Sequence, residues 1–266
     1  MIPETDFDRT AYMEVNRARD VVFNSFLPAL ITARGLRTAI DVGCGIGYYC
    51  SYLEALGLEM TGIDARIENI EVARRRNPRA RFVSADIEQM MGIGFAGRGV
   101  GAQADRNFDL VFCAGLLYHL ENPFRAIRTL RDLISPPWSM EPSRSLCVIE
   151  SRVHWSDFPS GLLIQDRDGP SQSLHRFAIL LSPRALVGML YAAGFDYVYA
   201  VRHSSTHPEL KRRAFWVATE TPIDLAPLVL EPRESKADLS SAQYFYHRGP
   251  GRFWTAFWEA WRWLHL

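Results

Sequence analysis

No stretch of the sequence approaches the roughly 18 uninterrupted apolar residues that a bilayer span requires, which sets aside a helical membrane anchor. Cysteine is scarce. Cys44, Cys50, Cys113 and Cys147 form no CxxC pair and are too few and too scattered for a disulfide framework or a zinc site, so buried, reduced thiols are expected. An excess of charge of either sign is also missing. Thirty basic and thirty acidic residues cancel, which argues against a surface built to hold a nucleic-acid backbone. The local run "RRRNPRAR", Arg74 to Arg81, reads as a solvated helix end. The opening "MIPETDFDRT" lacks the basic region and apolar core of a secretory signal, and a cytoplasmic protein is expected. No cluster of Asp, Glu and His stands at ligand spacing near a motif loop, so no metal site is expected.

What is present is an alternation of short apolar runs with helix-like stretches. After an N-terminal helical segment, residues 1–35, whose "VVFNSFLPALI" reads as a helix, "TAIDVG" reads as a buried strand and "YYCSYLEALG" as a helix stopped by Gly57. "LEMTGID", "RFVSAD", "FDLVFCAG" and "SLCVIES" read as further strands, "RIENIEVARRRN" and "NPFRAIRTLRDLI" as helices between them. "SPRALVGMLYAAGF" has Ser182 as candidate N-cap, Pro183 at its first position and Gly194 at its end. "YVYAVRH" and "AFWVATE" are the last two strand candidates, which makes seven. Strand and helix alternating at this spacing demand parallel strands joined by right-handed crossovers, hence a doubly wound α/β sheet with helices on both faces. Three segments fall outside the rhythm: the glycine-rich Met91 to Asn107, an insertion at 152–181, and an extension at 221–266.

In open α/β sheets the ligand lies beyond the carboxyl ends of the strands, and the turn after the first strand is its usual place. Here that turn is "DVGCGIGYY". A dinucleotide fingerprint would place a third glycine at position 48, where Tyr48 stands instead; the glycines run Gly43, Gly45, Gly47 behind Asp41. Glycines at 43 and 45 free the backbone for positive φ and let a ligand lie against it, and the amides at the helix start suit a carboxylate. Asp64, ending the second strand, is placed to accept from ribose hydroxyls. Asp86 in "SADIE" could accept from an adenine amino group while Ile87 packs on the ring. Each residue alone has an ordinary explanation as a tight turn or a helix cap.

Together, "DVGCGIG", "TGIDA", "SADIE" and "FDLVFCAGLLYHLENP", in this order and spacing, resemble the class I S-adenosylmethionine-dependent methyltransferases. The resemblance covers roughly residues 36 to 220. It implies a Rossmann-like, doubly wound, seven-stranded and mostly parallel sheet with the last strand antiparallel, and S-adenosylmethionine as cofactor. It also implies that Gly43, Gly45 and Gly47 line the methionine part, Asp64 the ribose and Asp86 the adenine. Asp41, Cys44, Ala65, Ile87, Ala114 and Leu116 complete the expected cofactor set.

"GLLYHLENP" is similar to the loop of a subset that includes the tRNA wobble-uridine carboxymethyltransferase, and makes Tyr118 and His119 the catalytic candidates. Methyl transfer is an in-line displacement in which the protein positions the acceptor and, for a hydroxyl, removes a proton. An imidazole at position 119 suits that proton; a histidine capping the next helix is the alternative. Tyr118 would pack over the cofactor or hydrogen-bond the substrate. His154, Trp155, Asp157, His175 and Arg176 in the insertion are candidates for a wall over the acceptor, most of them ordinary loop residues. In "GRFWTAFWEAWRWLHL", Trp254, Phe257, Trp258, Trp261 and Leu264 form one helical stripe. Packing on its own domain, a homodimer contact, or membrane-surface association through 250–266 would each use such a stripe. The leading reading is a methyltransferase, O-directed, with a small-molecule acceptor such as a sugar, glycoconjugate or secondary metabolite. The alternatives are an RNA-modifying enzyme with a carboxylated cofactor, which wants a basic residue for the extra carboxylate, and a non-catalytic cofactor-binding protein.

Overall fold

The structure, a computed structural model, describes residues 10–90, 108–134, 144–165, 173–174 and 176–233. The glycine-rich segment 91–107, His175 and the aromatic tail 250–266 lie outside the described residues. In chain order the elements are α1 (Thr10–Asn24), α2 (Leu27–Arg34), β1 (Thr38–Val42), α3 (Tyr48–Ala55), β2 (Glu59–Asp64), α4 (Ile67–Arg76) and β3 (Arg81–Ser84). They continue with β4 (Leu110–Ala114), α5 (Pro123–Ile134), β5 (Leu146–Arg152), β6 (Gly161–Gln165), β7 (Phe177–Leu181), α6 (Pro183–Ala192), β8 (Tyr197–Val201), β9 (Arg213–Thr219) and β10 (Leu228–Leu230).

Eight strands form one sheet in the order β3-β2-β1-β4-β5-β9-β8-β10. The first five of these are parallel neighbours, and β9 enters antiparallel to both β5 and β8. Seven strands are those expected. The eighth, β10, comes from the segment read as an extension and pairs Leu228 with Val201 at the sheet edge. The insertion contributes a separate hairpin, β6 with β7.

Period-2 alternation sorts the sheet's side chains onto two faces. Ile40, Val42, Val111, Cys113, Cys147, Ile149 and Trp216 meet α5 and α6 in one core. Ala39, Leu110, Phe112, Leu146, Val148, Phe215 and Val217 meet α1 to α4 in the other. The N-terminal segment is two helices, not one: α1 stops at Asn24 and α2 restarts behind Phe26 with Pro28 in its first turn, where a missing N–H is harmless. Both helices bury Phe23, Phe26, Leu27 and Leu30 in the same core as the sheet. Ser182 caps α6 by accepting from the Ala185 amide at 3.2 Å, and Gly194 takes φ +102° beyond its end.

Candidate functional site

The carboxyl ends of β1, β2, β3 and β4 open onto a cavity in continuity with solvent. Its donor-side wall is built from contiguous turns. Gly43 and Cys44 both donate to the Ile63 carbonyl, at 2.8 and 2.9 Å, which folds the turn after β1 onto the end of β2. Gly43 has φ +77°, and a Cβ there would lie 3.0 Å from the Leu116 side chain. Gly45 donates its amide to Asp64 Oδ2 at 3.0 Å, while Asp64 Oδ1 accepts from the Arg66 amide at 2.9 Å and Asn69 Nδ2 at 3.1 Å. Burial raises the Asp64 pKa, and these hydrogen bonds pull the other way. Asp86 caps a short 3-10 turn, Ile87–Gln89, accepting from the Glu88 amide at 2.9 Å. Glu88 in turn accepts from the amides of Glu121 and Asn122, tying this turn to the loop after β4.

Behind the opposite wall, where Tyr12, Arg19 and Tyr118 line the cavity, lies a buried ion cluster assembled from distant parts of the chain. Glu150 near the end of β5 is fully buried and has the same parity as Leu146 and Val148, so it faces α1. Arg19 of α1 meets it at 3.2 Å and Arg213 at 2.7 Å. Because β9 is antiparallel, its first residue, Arg213, arrives at the same sheet edge where β5 ends. Arg213 Nη1 and Nη2 stand 3.5 Å from the Tyr118 hydroxyl, and its guanidinium lies 5.5 Å from that ring's centre. Burial is the largest influence on Arg19 and works against its charge, but the Glu150 carboxylate together with Tyr49, Tyr118 and Tyr12 outweighs it and holds the guanidinium pKa well above its ordinary value. Two cations share one buried anion, leaving a net positive charge at this end. Tyr12 and Arg19 both line the cavity, one face of α1 turned toward it. Asn16 Nδ2, Arg19 Nε and Arg213 Nε are buried without a hydrogen-bond partner. Such a group of unmet donors is what a polar ligand or ordered water would satisfy.

Residues 40–137 match the family described as "Methyltransferase domain". Over that stretch, a little over a third of its length, the chain is similar to methyltransferase domains. The tRNA U34 carboxymethyltransferase of Haemophilus influenzae strain PittEE is 26% identical over 231 residues, covering 84% of this chain and 64% of that protein. The protein of that name from Klebsiella pneumoniae is 28% identical over 217 residues, covering 79% and 57%. The chain thus spans about three fifths of the length of these curated relatives. Among solved structures, the N-terminal domain of EvdMO1 in the presence of SAH and D-fucose superposes with a TM-score of 0.54 at 18% identity, covering 77% of this chain and 81% of that one. That likeness concerns the fold.

Of the residues expected from sequence to hold the cofactor, Gly43, Gly45, Asp64, Ala65, Asp86, Ile87, Ala114 and Leu116 line the cavity, and so do Tyr118 and His119. Asp41, Cys44 and Gly47 do not. Asp41 is 2% exposed and faces α3, accepting from the Cys50 thiol at 3.7 Å; burial pushes its pKa up to about 7. Gly47 is glycine for a packing reason: with φ +84°, its Cβ would lie 2.4 Å from Asn77 Nδ2. His154, Trp155, Asp157 and Arg176 are not on the cavity wall. His154 Nε2 instead sits 3.3 Å from the Ser160 carbonyl. Ser173 and Leu174 are the insertion's contribution, with Arg66 donating to the Ser173 carbonyl at 3.3 Å. Tyr12, Arg19, Glu150 and Arg213 were not singled out from sequence. The available signal was an acid inside the apolar run "LCVIES" and an arginine opening "RAFWV".

Proposed function

We propose that this cavity binds S-adenosylmethionine and transfers its methyl group to a small-molecule acceptor, with oxygen as the acceptor atom. The observation that carries the reading is the convergence on one cavity of Gly43, Gly45, Asp64, Asp86 and Ile87 with Tyr118 and His119. The residues fit the cofactor. The crowding of Gly43 against Leu116 leaves no place for a side chain where the methionine part would lie, and Asp64 and Asp86 line the same cavity, where their carboxylates would accept from ribose and adenine. When bound, the sulfonium supplies a methyl carbon open to in-line attack. The protein's part is positional: Gly43 and Gly45 admit the ligand to the backbone, the loop after β4 sets the acceptor opposite, and His119 takes the acceptor's hydroxyl proton.

A second reading is supported by Arg19 and by the Tyr118–Arg213 pair. A donor with a carboxylate on its transferred carbon would find a cationic counterpart in Arg19, whose guanidinium reaches the cavity beside Gly115. This reading would carry over the carboxymethyl transfer named for the curated relatives. Calorimetry decides between them: S-adenosylmethionine, its carboxylated analogue and NAD are titrated in parallel. Binding of the first with no response to NAD is expected. At least tenfold tighter binding of the carboxylated compound would move the assignment to carboxymethyl transfer, and no heat with either sulfonium would overturn both.

A further inference from the structure

Arg66 stands where helix physics would not choose it. It is the N-cap of α4, with extended backbone (φ −92°, ψ 116°) and no side-chain cap hydrogen bond to the helix. A guanidinium has no acceptor to offer the first-turn amides, and it brings a cation to the positive end of the helix dipole. Glu68 supplies an acid in that turn. A local cost of this kind, kept at a residue that lines the cavity, points to a task elsewhere.

The two ends of the residue do two different things. Its backbone amide donates to Asp64 Oδ1 at 2.9 Å, beside Asn69 Nδ2 at 3.1 Å, while the Gly45 amide holds Oδ2. Its side chain crosses to the insertion, where Nη2 donates to the Ser173 carbonyl at 3.3 Å. Ser173 is 4% exposed and Leu174 44% exposed, and both line the cavity. Leu174 is thus placed to lose its water to a ligand that fills the cavity. Further along the insertion, β7 lies against the 3-10 turn Leu117–His119. The insertion therefore meets the cavity at the Asp64 end and also backs the loop after β4.

We propose that Arg66 is a positioning residue of the donor site. Through its amide it orients the Asp64 carboxylate, and through its guanidinium it holds Ser173 and Leu174 across the nucleoside end, so that a bound donor is covered on that side. The proposal rests on the reading of the cavity as an S-adenosylmethionine site. It gives the insertion a part in holding the donor. Because a side-chain substitution keeps the amide of residue 66, the two functions can be separated.

The test uses S-adenosylhomocysteine as probe and a cysteine at position 174 as reporter. The four native cysteines are buried, so Leu174→Cys adds an accessible thiol whose reaction with N-ethylmaleimide reads the cover. Saturating S-adenosylhomocysteine should slow that labelling about tenfold, and adding Arg66→Ala should remove most of the slowing, since the hydrogen bond that holds the cover is worth about that factor. Arg66→Lys, which keeps a charged donor, should retain part of it. Calorimetry should show affinity for S-adenosylhomocysteine within about fivefold of the parent in each chain, because the amides that hold Asp64 persist. In stopped flow, Arg66→Ala without the cysteine should release S-adenosylhomocysteine about fivefold faster, with the melting temperature within a few degrees of the parent's. Calorimetric binding with unslowed labelling of Leu174→Cys would overturn the proposal, as would equal slowing with and without Arg66→Ala, or an unchanged release rate. A joint fall of affinity and melting temperature in Arg66→Ala would overturn it by making Arg66 a structural residue. No heat with S-adenosylhomocysteine in the parent chain would overturn the donor reading itself, an outcome told apart because calorimetry precedes labelling.

Discussion

The two walls of the cavity are built by different physics. On the donor side, each contributing residue lies within a few positions of a strand end, and the turn after β1 is fixed by amide hydrogen bonds to the end of β2, from Gly43 and Cys44 to the Ile63 carbonyl and from Gly45 to the Asp64 carboxylate. On the opposite side, Arg19, Glu150 and Arg213 come from α1, β5 and β9 and are held by charge in a dry interior. Local turns make the first wall tolerant of change elsewhere. A shared buried anion makes the second wall fail as a unit, because removing one member strands the others.

Replacing Glu150 is therefore the strongest way to break the contrast. Glu150→Ala leaves two buried guanidiniums without their counter-ion and should cost about 3–5 kcal/mol in urea or thermal unfolding. A cost below about 1 kcal/mol would mean that this end is well hydrated and the contrast is false. Asp64→Ala acts on the other wall and should show the reverse pattern: affinity for S-adenosylmethionine falls by at least tenfold in calorimetry, with a smaller change in stability. Unchanged affinity would remove Asp64 from the ribose role. Gly47→Ala sharpens the difference between lining the cavity and supporting it. The added methyl meets Asn77 at a strained φ, so a loss of about 1–3 kcal/mol in stability is expected, with donor affinity falling less than for Asp64→Ala.

Asp41 gives the smallest effect, and one that depends on pH. Its folded pKa of about 7 exceeds the ordinary value of 3.8 because burial disfavours the charged form. Between those values the folded chain keeps a proton that the unfolded chain releases. Native stability therefore falls as pH rises through that window and levels off above it. Asp41→Asn should leave the melting temperature near the parent's at pH 4 and raise it by a few degrees at pH 8, on the order of 1–2 kcal/mol. Parallel melting curves across pH 4 to 8 would show that Asp41 does not titrate there.

The same contrast explains what was legible in the sequence. Strand periodicity gave the parallel core of the sheet, and the glycines, acids and "LYH" gave eight lining positions on the donor side together with Tyr118 and His119, because those signals are short and contiguous. Asp41 and Gly47 sit inside the same motif yet serve packing, since motif membership does not say which way a side chain points. Arg19 and Arg213 carry no local mark: each stands among other arginines, in "NRARD" and "KRRAF", and only the pairing of α1 with β5 and of β5 with β9 separates them from solvated neighbours. The break between α1 and α2 escaped because the apolar pattern runs through Phe26 without interruption, although Pro28 marks a restart. β10 escaped because three residues are too short a run to show alternation.

The inverted direction of β9 has a consequence in time. A strand that runs against its neighbour in the sheet brings its beginning to the edge where β5 ends, so the arginine that completes the ion cluster reaches Glu150 only once β9 has inserted between β5 and β8. The donor wall, made of near neighbours, closes its loops at little entropic cost, whereas the cationic wall must join the start of the chain to one of its last strands. A growing or refolding chain would thus close the glycine-and-acid wall before it completes the ion cluster.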